Sequence, residues 1–365
     1  MTSPQPPRVR PSRVRFGVLV VGLGLLLAAC AENAPQDTLE PEGPISRQID
    51  DLVTPIFWVA IVIGLAVLAA ILYASWAFRR SRQGEDYIPP QIHGNTRLEI
   101  GWTIAPAVLL AVIAVPTVST ILDLADRPAD AMDVTVYGAQ WWWEYEYPST
   151  STRGPVVTAN ELHIPIDQPV HLTMTSRDVI HSYWVPKLAG KKDVVPGRWH
   201  TLTIQADEPG EYFGQCVEFC GASHANMRLR VIAHTPDEFE DWLDHNAADR
   251  TAPPAGSLEA TGEDLITAKG CTTCHVLRGV STADQIEALR GRLIRVDGDP
   301  TPFAPDLTHV GSRGTFAGSL FDLNIGELKA WLRNPPERKD GSLMPNLNLT
   351  EDEIDALANY LLSLD

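Results

Sequence analysis

Residues 54–78 and 101–122 form two apolar runs without a single Asp, Glu, Lys or Arg. A helix that crosses the hydrocarbon core of a bilayer needs about 20 apolar residues, and both runs are long enough. Neither leaves a polar face for water, so two buried helices of a soluble core account for them poorly. Arg79, Arg80, Arg82 and Arg97 lie between the runs, while Asp50, Asp51, Asp123 and Asp126 flank them. Basic residues stay on the cytoplasmic side. The pattern therefore predicts a transmembrane hairpin over 51–128, its loop inside and both flanks outside. Glu99, just ahead of the second run, suits a helix N-terminus, where negative charge is favoured. It also stands where a proton path could begin.

The N-terminus agrees with that orientation. Residues 1–15 carry Arg8, Arg10, Arg13 and Arg15 and no acid, and an apolar run at 16–29 follows. This is the pattern of an export signal. Leu27-Ala28-Ala29-Cys30 resembles the lipobox of bacterial lipoproteins. The resemblance implies removal of 1–29, a lipid on Cys30 and an exported segment over 30–50; an uncleaved anchor with an incidental cysteine is the alternative. The chain has 365 residues, room for two or three domains, and a net charge of −17. Such a charge argues against nucleic acid as a partner. It suits basic protein partners, or simply a soluble surface.

From 131 to 245 the pattern changes. Val134, Val136, Leu162, Ile164, Leu172, Met174, Leu202 and Ile204 alternate with polar neighbours, broken by Pro, Gly and Asp. Short alternating segments predict an all-β sandwich or barrel. Trp141, Trp142 and Trp143 are adjacent. Successive strand residues face opposite sides, so at least one of the three belongs at a surface or interface. Cys216, Cys220, His224 and Met227 then fall within one short stretch. Thiolate and thioether donors select copper, and imidazole suits it. A single blue-copper centre uses one Cys, whereas two could bridge a pair of coppers. His181, in Asp178-Val179-Ile180-His181-Ser182, is the candidate second histidine. A Cys216–Cys220 disulfide is the alternative in an oxidising compartment, but leaves His224 and Met227 unexplained. Zinc is another, although Met is a poor zinc ligand.

Together with Gln140-Trp141-Trp142-Trp143, the segment 192–198 and Tyr212-Phe213-Gly214-Gln215, these motifs make residues 45–245 closely resemble subunit II of haem–copper oxidases. The resemblance implies a cupredoxin-like barrel holding a binuclear copper centre, Cu-A. Its ligands would be His181, Cys216, Cys220, His224, Met227 and the backbone carbonyl of Glu218. It implies further that the Glu218 carboxylate meets a magnesium shared with subunit I. Trp141 would be the tryptophan where electrons from cytochrome c arrive, and Glu99 would lie near the mouth of a proton channel. Quinol-oxidising relatives lack the copper site, so the full set of ligands disfavours them.

Residues 246–257 have linker composition. Beyond them, Cys271, Cys274 and His275 form Cys-x-x-Cys-His. This spacing reads as covalent c-type haem attachment, with two thioethers and His275 as an axial ligand. A thioredoxin-like pair would need a strand–helix setting, and zinc a second ligand pair. Met344 is the one methionine in 258–365 and the candidate sixth ligand for an electron-transfer haem. Thr350 and Glu353 predict a capping box opening a last helix. With Gly311, Pro305-Asp306-Leu307 and 331–336, the stretch 258–365 resembles class I cytochromes c, which are all-α.

The whole is then expected to be a multidomain membrane protein made of a two-helix hairpin, a cupredoxin-like β domain and a cytochrome c domain. Such a fusion resembles the caa-type oxidases. It implies a respiratory subunit in the bacterial inner membrane, with both soluble domains outside the cytoplasm. Electrons from an upstream cytochrome c or cytochrome bc complex would pass through its own haem to Cu-A. From there they would reach subunit I, where oxygen is reduced to water and protons are pumped. Two other readings stand beside it: a carrier feeding a nitrogen-oxide reductase, and a copper-handling lipoprotein.

Overall fold

The computed structural model describes residues 34–79, 82, 87–91, 93–290 and 303–365. The export signal, Cys30 and Arg80 lie outside the described residues. Helices α1 (Pro44–Ala77) and α2 (Thr96–Ala125) are the two long apolar ones, of 34 and 30 residues. Their most apolar windows are not covered by protein. Phe57, Trp58, Leu65 and Trp102 all point outward. Apolar faces of this size require lipid or another subunit. Helix α1 extends past its apolar run at the N-terminal end, and α2 extends past its run at both ends. The first turn of α1 is held by the β domain, where Ser46 Oγ donates to Lys187 O at 2.7 Å and Glu42 N to the same carbonyl at 2.8 Å. Asn95 caps α2 by accepting from Arg97 N and Leu98 N. Glu99 sits exposed in that first turn.

Ten strands follow: β1 (Met132–Ala139), β2 (Trp142–Tyr147), β3 (Val156–Ala159), β4 (Glu161–Pro165), β5 (Val170–Ser176), β6 (His181–Trp184), β7 (Lys192–Val194), β8 (His200–Ile204), β9 (Gly210–Cys216) and β10 (Arg228–His234). They form two five-stranded sheets in the orders β3-β2-β1-β5-β8 and β4-β10-β9-β6-β7. The expected alternation fills the space between them with Val134, Val136, Leu162, Ile164, Leu172 and Met174. Trp143, Tyr145 and Tyr183 are fully buried there too. Helix α3 (Pro236–Ala247) closes one end, and its Phe239 and Leu243 enter the same core.

The last domain is built from α4 (Leu258–Ala268), α5 (Ala283–Arg290), α6 (Ile325–Arg333), α7 (Pro335–Arg338) and α8 (Glu351–Leu362). Helices α4 and α8 cross at Gly262, where a Cβ would lie 2.3 Å from Ala356 O and 2.5 Å from Tyr360 Cβ. Only hydrogen in place of a side chain permits that approach. Thr350 and Glu353 form the expected capping box: Thr350 N donates to Glu353 Oε2 at 3.0 Å, and Glu353 N to Thr350 Oγ1 at 3.3 Å. One feature departs from an all-α domain. A two-residue ribbon, β11 (Thr315–Phe316) and β12 (Phe321–Asp322), turns through Ala317, Gly318 and Ser319 at positive φ. Strands this short carry no periodicity to read from sequence.

Candidate functional site

Strand pairing assembles the sulfur-rich site. β6 opens on His181 and β9 closes on Cys216, and the two strands pair with Tyr183 opposite Cys216. This places His181 Nδ1 at 3.9 Å from Cys216 Sγ. A return loop then brings Cys220 Sγ to 3.7 Å from Cys216 Sγ, 3.6 Å from His224 Nδ1 and 3.9 Å from Met227 Sδ. The two sulfurs are far beyond the roughly 2.05 Å of a disulfide, and both cysteines are free. The Glu218 carbonyl lies 3.3 Å from Cys216 Sγ. Glu218 itself and Phe219, 77% exposed, face outward. All six sequence-derived positions thus converge. The donor set is soft, compact and mostly buried, which fits copper far better than a hard cation.

Two residues that no local motif marks as ligands support His181. Asp178 Oδ1 lies 2.9 Å from His181 Nε2. A histidine that donates through Nε2 presents Nδ1 to a metal, so Asp178 sets both ring orientation and tautomer. Gly138 supplies the space, because a Cβ there would sit 2.9 Å from His181 Cδ2. Burial opposes charge on His181, but its hydrogen bonds to Asp178 and Cys216 outweigh that effect and raise its pKa. The hydrogen bond between the two sulfurs lowers the pKa of the Cys216 thiol and raises that of Cys220. Asp178→Ala is expected to weaken copper binding by about 10–100-fold, measured by competition with a copper chelator. An unchanged affinity would remove Asp178 from the site.

Trp141 stands directly behind this centre. Its Nε1 donates to Cys220 O at 3.0 Å, and Gln140 Nε2 donates to the same oxygen at 2.7 Å. On its other side lies a cavity of about 340 Å³. Cys271, Cys274, His275 and Met344 line it, together with Gln140, Trp141, Trp142 and Asn160 of the β domain. The expectation that a tryptophan of the triplet lies at an interface is met by Trp141 and Trp142.

The cavity fits a haem on three grounds. Cys271 and Cys274 are free thiols at its wall. His275 Nδ1 donates to Pro305 O at 2.7 Å, which leaves Nε2 for iron. Arg313 lines the cavity with its Nε out of water and without a hydrogen-bond partner among the described residues, as a haem carboxylate would require. Burial lowers the pKa of His275, which keeps its ring neutral and ligand-competent. Met344 Sδ accepts from Trp331 Nε1 at 3.1 Å.

Comparison with known proteins gives three family matches: cytochrome c oxidase subunit II, transmembrane domain, at 36–120; its periplasmic domain at 149–234; and cytochrome c at 259–365. Cytochrome c oxidase subunit 2 of Alkalihalophilus pseudofirmus is 35% identical over 350 residues, covering 94% of each chain. The chain belongs to the cytochrome c oxidase subunit II family. Subunit 2 of Bacillus subtilis is 32% identical, over 96% of this chain and 97% of that one. Among solved structures, the periplasmic domain of subunit II of cytochrome oxidase from Bradyrhizobium japonicum is 28% identical. It covers 33% of this chain and 95% of its own, with a TM-score of 0.31.

As a member of subunit II, the chain is part of a membrane-bound haem–copper oxidase and has an electron-input role there beside subunit I. Its periplasmic domain implies copper and its cytochrome c domain implies haem. The match at 149–234 contains His181, Cys216, Glu218, Cys220, His224 and Met227, and the match at 259–365 contains Cys271, Cys274, His275 and Met344. Glu99 lies within the transmembrane match.

Proposed function

We propose that this subunit II passes electrons from its own haem to a binuclear Cu-A centre and on to subunit I. His181, Cys216, Cys220, His224, Met227 and the Glu218 carbonyl hold the copper pair. Cys271 and Cys274 would bind the haem covalently, and His275 and Met344 would ligate its iron. The bound haem and copper pair would each take up and release one electron at a time. The protein's own groups orient the ligands, exclude water and connect the two sites.

One observation carries this reading: Trp141 is both a wall of the haem cavity and a hydrogen-bond donor to the Cys220 carbonyl. A single residue therefore touches both sites. The upstream donor is a reduced cytochrome c or cytochrome bc complex. Oxygen reduction and proton pumping belong to subunit I. The exposed Glu218 carboxylate is available to a magnesium at that interface, and Glu99 to a proton path. Both soluble domains stand outside the cytoplasm of a bacterial inner membrane, with Cys30 as the lipid anchor.

Metal and haem quantification on the purified oxidase tests the reading. The expected result is two coppers and one covalent haem per chain, with the spectrum of a mixed-valence copper pair. A single labile copper, or zinc in its place, would point instead to a copper-handling lipoprotein. Copurification with a nitrogen-oxide reductase rather than subunit I would support the other alternative.

A further inference from the structure

The two soluble domains bury polar side chains in each other. Lys339 of the haem domain, 5% exposed, donates through Nζ to Trp141 O at 2.7 Å and to Ala317 O at 2.7 Å. Glu161 of the copper domain, 2% exposed, accepts from Thr315 Oγ1 at 2.5 Å and from Gly314 N at 3.1 Å. Between them Arg228 N donates to Gly318 O at 3.0 Å and Ser223 Oγ to Asp340 O at 2.5 Å. Phe303 packs on the Trp142 ring, with centroids 5.2 Å apart, and under the Arg177 guanidinium. Two glycines with positive φ permit the approach. A Cβ at Gly341 would lie 2.6 Å from the Trp141 ring, and one at Gly318 would lie 2.7 Å from Trp141 O.

We propose that Lys339 and Glu161 are positioning residues that clasp the haem domain onto the Trp141 face of the copper domain in one fixed register. The inference rests on the electron-transfer reading above. A buried amine or carboxyl group is costly unless its hydrogen bonds are made. Here each group reaches across to partners in the other domain. A slid or rotated arrangement would leave Trp141 O, Gly314 N and both side chains unpaired, which selects against it. Burial pushes the Lys339 pKa down to about 7. Charged or neutral, the amine keeps N–H groups for both carbonyls. Burial likewise raises the Glu161 pKa. A tether alone supplies an effective concentration on the order of mM, but it does not choose an orientation. The clasp does. It also covers Trp141, which is only 8% exposed, so an outside carrier must deliver its electron to the haem domain.

The test uses the intact oxidase. In the wild type, acetic anhydride should modify Lys339 at least about tenfold more slowly than the exposed Lys191 and Lys192, since a closed clasp shields it. Lys339→Met and Glu161→Ala should each speed hydrogen exchange at the Arg228 and Gly314 amides by about tenfold or more. Copper and haem absorption spectra should stay unchanged. Electron transfer from photoreduced haem to copper should slow by a similar factor, because the donor loses its fixed orientation. Equal acetylation of Lys339 and Lys191 would overturn the proposal without any variant. So would variants with wild-type exchange and transfer rates. If the wild type lacked the copper pair or the haem, the electron-transfer reading would fail, while acetylation of Lys339 would still report on the clasp.

Discussion

Cys220→Ser is expected to reduce oxidase turnover by more than about 100-fold, the upper end of what loss of a supporting partner costs, while leaving the haem in place. Cys220 is the hub of the sulfur site. Its sulfur stands 3.7 Å from Cys216 Sγ, 3.6 Å from His224 Nδ1 and 3.9 Å from Met227 Sδ. Serine is close in size, so the loop should keep its shape. What changes is donor chemistry, from a soft thiolate that can bridge two coppers to a hard hydroxyl that selects against them. The backbone carbonyl of residue 220 remains, so the bonds from Gln140 and Trp141 survive. Copper analysis should show loss of the pair, and the haem spectrum should match the wild type. A variant retaining both coppers and full turnover would remove Cys220 from the ligand set.

Met344→Ala should leave the haem covalently attached but lower its reduction potential by on the order of 100 mV or more, since a thioether axial ligand favours the reduced iron. Attachment depends on Cys271 and Cys274, and the His275 ring is held separately through Pro305 O. Neither the thioether positions nor the His275 hydrogen bond uses an atom of residue 344. The lost sulfur also leaves Trp331 Nε1 without its acceptor at 3.1 Å, and water can enter the vacated position. The measurement is a redox titration with a spin-state assay on the same sample. An unchanged potential and low-spin spectrum would assign the sixth position to another residue. Because Met344 and Cys220 lie in different domains, each variant should leave the other site intact.

Much of the molecule was legible in the residue order because its signals are local. The two charge-free runs become α1 and α2, since backbone groups in lipid must be satisfied within the helix. Period-two alternation places Val134, Val136, Leu162 and Ile164 between the sheets. The Thr350 and Glu353 pair opens α8 as expected. Cys216, Cys220, His224 and Met227 are near neighbours in the chain, as are Cys271, Cys274 and His275, so donor chemistry and spacing alone marked them.

Other features depend on contacts between distant segments. Asp178 became an orienting group only once β6 paired with β9 and turned His181 toward Cys216. Pro305 belongs to a local motif, but its hold on His275 spans thirty residues. The chain order marks Lys339 and Glu161 as ordinary charged residues, and such residues are usually solvated. They face partners 198 and 154 positions away. Residue types and spacings therefore determined which atoms could bind metal and haem. Only the packing of one domain on another decided how those atoms are aimed and joined, because hydrogen bonds and burial act through space and are blind to sequence separation.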